Sequence, residues 1–332
     1  MLTFSDLVKR VAELSGCGYY TDGGQGVVEV PIDAHDLDKC KRVVNDAMRT
    51  FIADSPAKGW RWMRRLANIT LDPTGAGTNN ISTDPARYFL PAFFGGTVDG
   101  PISYAASTAV GAHIDWVDEA YIRARRVPNI NTGYPLFAAI LPYEPTTGVL
   151  SATRRWELIV DPSPVAAHVV VFPYTLHFDD MQLVTGGASS GSTTTLVDSG
   201  RTEAADYFNG WVLRIIDGTG KGQTMTVTDF GAGTFTFATA AVAPDATSVY
   251  AVEPAANYHP AGHQFDGAVL DAVRAETEKQ FENVLGNYVE YYRQVALPNA
   301  QRLDARSAPR KLGPGKIIQE RTWTDVQYIP RT

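Results

Sequence analysis

Gly186-Gly187-Ala188-Ser189-Ser190-Gly191-Ser192 interrupts the chain with a run of small residues and no large side chain. Such a run reads as a flexible polar connector between regions of different composition. Beyond it, over residues 193–252, charges thin out and Thr, Val, Phe and Gly alternate, as in Trp211-Val212-Leu213-Arg214-Ile215 and Thr224-Met225-Thr226-Val227-Thr228. A period of two with closely spaced turns predicts a small all-β sandwich or barrel. Helical periodicity then returns, because Leu270, Val273, Phe281, Val284, Tyr288, Tyr291 and Val295 fall on one side of a helix expected over residues 265–295. At 1.5 Å per residue that helix is roughly 45 Å long.

Working outward to the N-terminus, Phe4, Leu7, Val8, Val11 and Leu14 recur at helical spacing behind Thr3, and Gly16 and Gly18 end the pattern. A second stripe, Leu37, Cys40, Val44, Ala47, Met48 and Phe51, follows Asp33 and Asp36 as candidate caps and stops before Pro56. Residues 60–174 change to short β-type runs such as Trp156-Glu157-Leu158-Ile159-Val160, broken by Pro, Gly and Asn, and predict mostly antiparallel strands. The expected class is α+β: a helical and β core over residues 1–183 and 254–295, an inserted β-module over 184–253, and a tail over 296–332. Two short N-terminal helices cannot cover the long apolar stripe, so Val273, Phe281, Val284, Tyr288 and Tyr291 are expected to meet another subunit.

The composition narrows the function. At roughly 100–200 residues per domain, 332 residues suggest two domains, and 44% hydrophobic against 20% charged residues excludes a disordered tail as the whole. With 29 Lys and Arg against 36 Asp and Glu the net charge is −7, so nonspecific wrapping of duplex DNA is not expected and any nucleic-acid contact is local. Cys17 and Cys40 match no zinc or redox spacing and read as buried thiols in a reducing compartment. The start carries an acid and no long apolar run, and no segment reaches the ~18 apolar residues of a membrane helix, so neither a secretion signal nor a membrane contact is expected. The residues from Arg293 onward are the exception in charge, with eight basic and three acidic side chains. Pro298, Pro309, Gly313, Pro314, Gly315 and Pro330 speak against a long helix there, while Leu312, Ile317, Ile318, Trp323, Tyr328 and Ile329 are too apolar for a solvated tail.

No catalytic constellation emerges. Gly187-Ala188-Ser189-Ser190-Gly191 matches G-x-S-x-G, but a nucleophile elbow needs a helix after it, and residues 192–197 read as a strand. Gly218-Thr219-Gly220-Lys221-Gly222 lacks the spacing of a phosphate loop and leads into another strand, which makes it a hairpin turn. His259 and His263 are separated by Pro260 and Gly262, which argue against the helix that would turn both toward one metal. His177-Phe178-Asp179-Asp180 reads as a polar strand end, and no cofactor or metal is expected. Arg61, Arg64 and Arg65, beside Trp60 and Trp62, form a basic cluster suited to a DNA channel or to contacts between subunits.

Several segments, taken in order, resemble the head-to-tail adaptor (connector) proteins of tailed bacteriophages, most closely the tail tubular protein A type with an inserted small β-domain. They are the helix over residues 36–53 followed by Trp60-Arg61-Trp62; Arg87-Tyr88-Phe89-Leu90-Pro91-Ala92-Phe93-Phe94-Gly95; Trp156 to Pro164 leading to Phe172-Pro173-Tyr174; and Ala308-Pro309-Arg310-Lys311-Leu312-Gly313. Together they span about two thirds of the chain. The resemblance implies a helical bundle with an attached β-domain, assembled as a dodecameric ring beneath the portal in the virion neck. It implies no enzymatic activity; its partners would be the portal protein, a tail nozzle or tail tube protein and passing genomic DNA, after assembly in the host cytoplasm. The tail, with Arg302, Arg306, Arg310, Lys311, Leu312, Ile317 and Trp323, is then the expected portal-docking element, and the β-module, similar to modules of other phage virion proteins, would meet fibre or collar proteins. The alternative is a glycan-binding protein, possibly with a hydrolase core, that uses the Trp/Tyr-rich β-module; against it, Trp211, Phe235 and Phe237 alternate along strands as core residues do.

Overall fold

The computed structural model describes residues 1–21, 27–57, 59–81, 84–105, 114–126, 131–143 and 155–306. The protein is of the α+β class, and no described helix is long and apolar enough to cross a membrane. Its helices are α1 (Phe4–Ser15), α2 (Ala34–Ala53), α3 (Glu119–Arg126), α4 (Asp266–Phe281), α5 (Asn287–Tyr291) and, after a π-helical turn at Tyr292–Ala296, α6 (Leu297–Arg306). The described residues divide into two compact units, Met1–Arg61 with those from Asp180 to Arg306, and those of Trp62–Asp179.

In the first unit, α1 begins in a capping box. The Thr3 hydroxyl accepts the Asp6 N–H at 3.1 Å, and the Asp6 carboxylate accepts the Thr3 N–H at 3.0 Å. Gly16, in the left-handed conformation at φ 75°, ends the helix. Asp33 caps α2 by accepting the N–H groups of His35 and Asp36. Helix α4 lies against both, with Val269, Ala272 and Val273 buried opposite the α1 and α2 stripes. At one end Trp60 stacks on Phe51 at a 4.9 Å centroid distance and meets Phe265 edge-on at 5.9 Å, while its indole N–H donates to the Phe51 carbonyl.

The same unit contains a seven-stranded antiparallel sheet in the order Val184–Gly187, Val249–Glu253, Val212–Asp217, Thr224–Gly231, Thr234–Phe237, Thr195–Val197, Ser190–Gly191. Its two outermost strands are joined by Ala188 and Ser189 alone, so the sheet must curl until its edges meet, as in a small barrel. Leu196, Phe208, Leu213, Ile215, Val227, Phe230, Phe235, Tyr250 and Val252 fill the interior. Here the structure departs from the sequence reading: residues 186–192 are not a flexible connector but the closing strands, with Val184 paired to Val252 and Ser190 to Val197. Nor do the units divide at residues 183 and 253. The sheet groups with the helices because Thr185 donates to the Pro31 carbonyl, Tyr19 donates to Asp217, and Glu29 accepts from Arg214.

The second unit is β-rich. A five-stranded sheet runs Asn80–Ile81, Asp84–Phe89, Arg155–Asp161, Phe137–Tyr143, Asp115–Trp116. The strand His168–Leu176 organises another sheet, pairing with Arg64–Leu71, Phe94–Val98 and Ser103–Tyr104. Ile69, Leu71, Phe94, Val170 and Phe172 from the latter pack against Tyr88, Leu158 and Val160 from the former in one core. Ile122 of α3 covers Ala139 and Ile159 on the outer face of the five-stranded sheet, and Arg125 donates to buried Asp161 at 2.8 Å.

Candidate functional site

The expected long helix over residues 265–295 is broken. Helix α4 ends at Phe281, and Asn283 takes a left-handed φ of 54°. The chain resumes at Asn287 only after Gly286, where the Glu278 carboxylate accepts the N–H groups of Tyr288 and Val289 at 3.0 and 3.1 Å. Periodicity missed this break because Val284 and Leu285 continue the apolar rhythm through it. The signal present in the sequence was the Asn283/Gly286 pair.

The break sorts the predicted subunit seam into two groups. Val273 is fully buried inside the chain's own core, which removes it from any surface, and Phe281 is half-buried with the Lys39 ammonium 4.0 Å from its ring. Val284, Tyr288 and Tyr291 are exposed, and Leu285 beside them is 71% exposed. Val295 on the π-turn and Leu303 on α6 are exposed as well. An open groove of about 620 Å³ is lined by Leu270, Asp271 and Arg274 of α4 and by Asn287, Tyr288 and Tyr291 of α5. Two buried polar anchors hold the π-turn and α6 in place. The Tyr292 hydroxyl donates to Asp54 at 3.1 Å, and Asp304 accepts the backbone N–H of Arg61 at 2.9 Å.

The expected tail starts later than residue 296. Residues 297–306 are helical as a direct continuation of the π-turn, where Leu297 keeps helical dihedrals and its N–H bonds the Tyr292 carbonyl five residues back, and Pro298 follows at the point where the wider turn re-routes the ladder. Arg302 is exposed on that helix and Arg306 ends it; Arg310, Lys311, Leu312, Ile317 and Trp323 lie outside the described residues. Arg61, Arg64 and Arg65 do not belong to one element. Arg61 belongs to the first unit, and Arg64 and Arg65 are consecutive on the strand Arg64–Leu71, so their side chains leave on opposite sides, that of Arg64 toward Asp99 at 3.5 Å.

The remaining motifs are structural. Gly218 to Gly222 form the turn between Val212–Asp217 and Thr224–Gly231. His259 and His263 both close on Asp266, at 2.6 and 2.8 Å. Burial lowers the His259 pKa against the opposing pull of Asp266, and among the described residues no group of three His, Cys, Asp or Glu is placed to hold a metal ion. Phe235 and Phe237 are buried in the sheet core and Trp211 is half-buried, leaving Tyr207 as the exposed ring of that aromatic group. Cys17 is partly rather than fully buried, and its Sγ lies 3.4 Å from that of buried Cys40. Comparison with protein-family models, with curated proteins and with solved structures gave no match for the chain.

Proposed function

We propose that the chain is a structural subunit of a bacteriophage neck: a head-to-tail adaptor that assembles as a ring between portal and tail and continues the DNA channel. The observation that carries this reading is the set of exposed apolar side chains Val284, Leu285, Tyr288, Tyr291, Val295 and Leu303, which the single chain leaves in water. Exposed apolar side chains bordered by charge are characteristic of protein interfaces, and Asp271 and Arg274 line the groove beside Tyr288 and Tyr291. A neighbouring copy of the chain is the partner of choice, with the ordered motifs that resemble phage adaptors pointing to a closed ring, dodecameric in that family.

In this reading α1, α2 and α4 to α6 are the adaptor bundle, and the sheet over residues 184–253 is an added module available to fibre or collar proteins. Residues 307–332 dock onto the portal through Arg310, Lys311, Leu312, Ile317 and Trp323, with Arg302 near their root. The tail nozzle or tube protein takes the opposite rim, and genomic DNA passes without sequence-specific contact. The mass of the purified protein, alone and after mixing with portal rings, tests the reading. A multi-subunit ring in either sample is expected; a monomer in both would exclude it.

A further inference from the structure

The two cysteines, far apart in sequence and unused by the ring, are neighbours in space. Cys17 follows the left-handed cap Gly16 at the end of α1, and Cys40 lies in the second turn of α2. Their sulfurs are 3.4 Å apart, against about 2.05 Å in a disulfide. The two sulfurs need to approach by roughly 1.4 Å for a bond to form. The environments of the two thiols differ. Cys40 is 0% exposed, and burial, followed by the neighbouring Cys17 and Asp36, pushes its pKa far up. Cys17 is only partly buried, with the Ser15 hydroxyl 3.0 Å away. That hydroxyl already donates to the Val11 carbonyl at 2.8 Å, so toward Cys17 it is an acceptor and orients the thiol.

We propose that Cys17 and Cys40 are a redox pair, which a low-molecular-weight disulfide such as glutathione disulfide converts into an intrachain disulfide bond. The Cys17 thiolate attacks one sulfur of the small disulfide, which forms a mixed disulfide and releases one small thiolate. Cys40 then gives up its proton and attacks the Cys17 sulfur, expelling the second small thiolate. Two protein thiols are oxidised, one small disulfide is reduced to two thiols, and the two protons leave with them. Exposure fixes the order, since only Cys17 can be reached from solution. The bond closes the segment that carries Tyr19 and Glu29, the residues through which the α1–α2 connection holds the seven-stranded sheet by way of Asp217 and Arg214. Oxidation therefore stiffens the attachment between helices and sheet.

The test uses the full chain under native conditions, incubated with glutathione disulfide and followed by intact mass and thiol titration; its outcome does not depend on the ring. Both thiols are expected to disappear together, with a mass loss of two hydrogens, no retained glutathione, and a Cys17–Cys40 linked peptide that dithiothreitol separates. Cys40→Ser is expected to retain one glutathione on Cys17, and Cys17→Ser to leave Cys40 unmodified. A stable glutathione adduct on the wild-type chain, two thiols that persist, or a bond between chains would overturn the proposal, and the wild-type measurement decides even if a variant fails to fold.

Discussion

Glu29 joins three pieces of the chain. Its carboxylate accepts from Lys9 of α1 at 2.8 Å and from Arg214 of the sheet at 3.1 Å, and it sits on the short strand Val28–Glu29. Burial alone would raise its pKa, but the bonds and charges of Arg214 and Lys9 outweigh burial and hold it below the usual 4.5. A carboxyl whose folded pKa is lowered contributes stability that is complete above its unfolded value and is lost as the pH falls through the folded one. Glu29→Gln is expected to cost about 1–3 kcal/mol at neutral pH. Denaturation at a series of pH values should also show that the variant lacks this share of the acid destabilisation that sets in below pH 4.5. Acid sensitivity identical to that of the wild type would mean that these ion pairs do not fasten sheet to helices.

Among the elements, the turn Gly218 to Gly222 makes the most exacting demand on sequence. Gly218 has φ 75°, and a Cβ there would run into the Thr247 carbonyl oxygen. Gly218→Ala should lower stability by at least ~2 kcal/mol, from left-handed strain of about 1–3 kcal/mol together with the collision. Gly187→Ala, with open space around the site, should change little; comparing the two melting curves separates local strain from a general intolerance of the sheet. Helices α1 and α2 were legible because Thr3 and Asp33 cap stripes of unbroken period, and the sheet strands because Phe235 and Phe237 alternate with threonines. The closing strands were not. Gly186, Gly187, Ser190 and Gly191 carry no alternation, and only pairing with Val249–Glu253 and Thr195–Val197 makes them strands. The same limit applies to α6, where Pro298 reads as a breaker unless the π-turn Tyr292–Ala296 just before it is known, and to the seam, where one apolar rhythm runs from buried Val273 of α4 to exposed Tyr288 and Tyr291 of α5.

At the scale of the whole molecule the predictions concern assembly. Tyr288 is 45% exposed and its hydroxyl supports no buried network, so Tyr288→Asp should leave the melting curve of the chain nearly unchanged while weakening association at least tenfold, about 1.4 kcal/mol per contact. Sedimentation across a concentration series reads this directly, and unaltered rings would remove α5 from the interface. For the portal, the informative truncation is residues 307–332. A cut at 301 would also remove Asp304 and Gln301, which anchor α6 to Arg61 and Asp54, and would confuse docking with unfolding. Loss of portal binding with intact rings is the expected outcome, and full binding at moderate salt would return attention to exposed Arg61.

The pairing of Val184 with Val252 brings the point where the chain enters the seven-stranded sheet next to the point where it leaves. A segment whose two ends emerge side by side can be gained, lost or traded by recombination without displacing the flanking chain. What such an exchange must preserve is a small set of contacts at the base, Thr185 to Pro31, Asp217 to Tyr19 and Arg214 to Glu29. Variants of this protein that carry a different cassette at the same place should therefore keep their diversity on the far side of the sheet and hold this base constant.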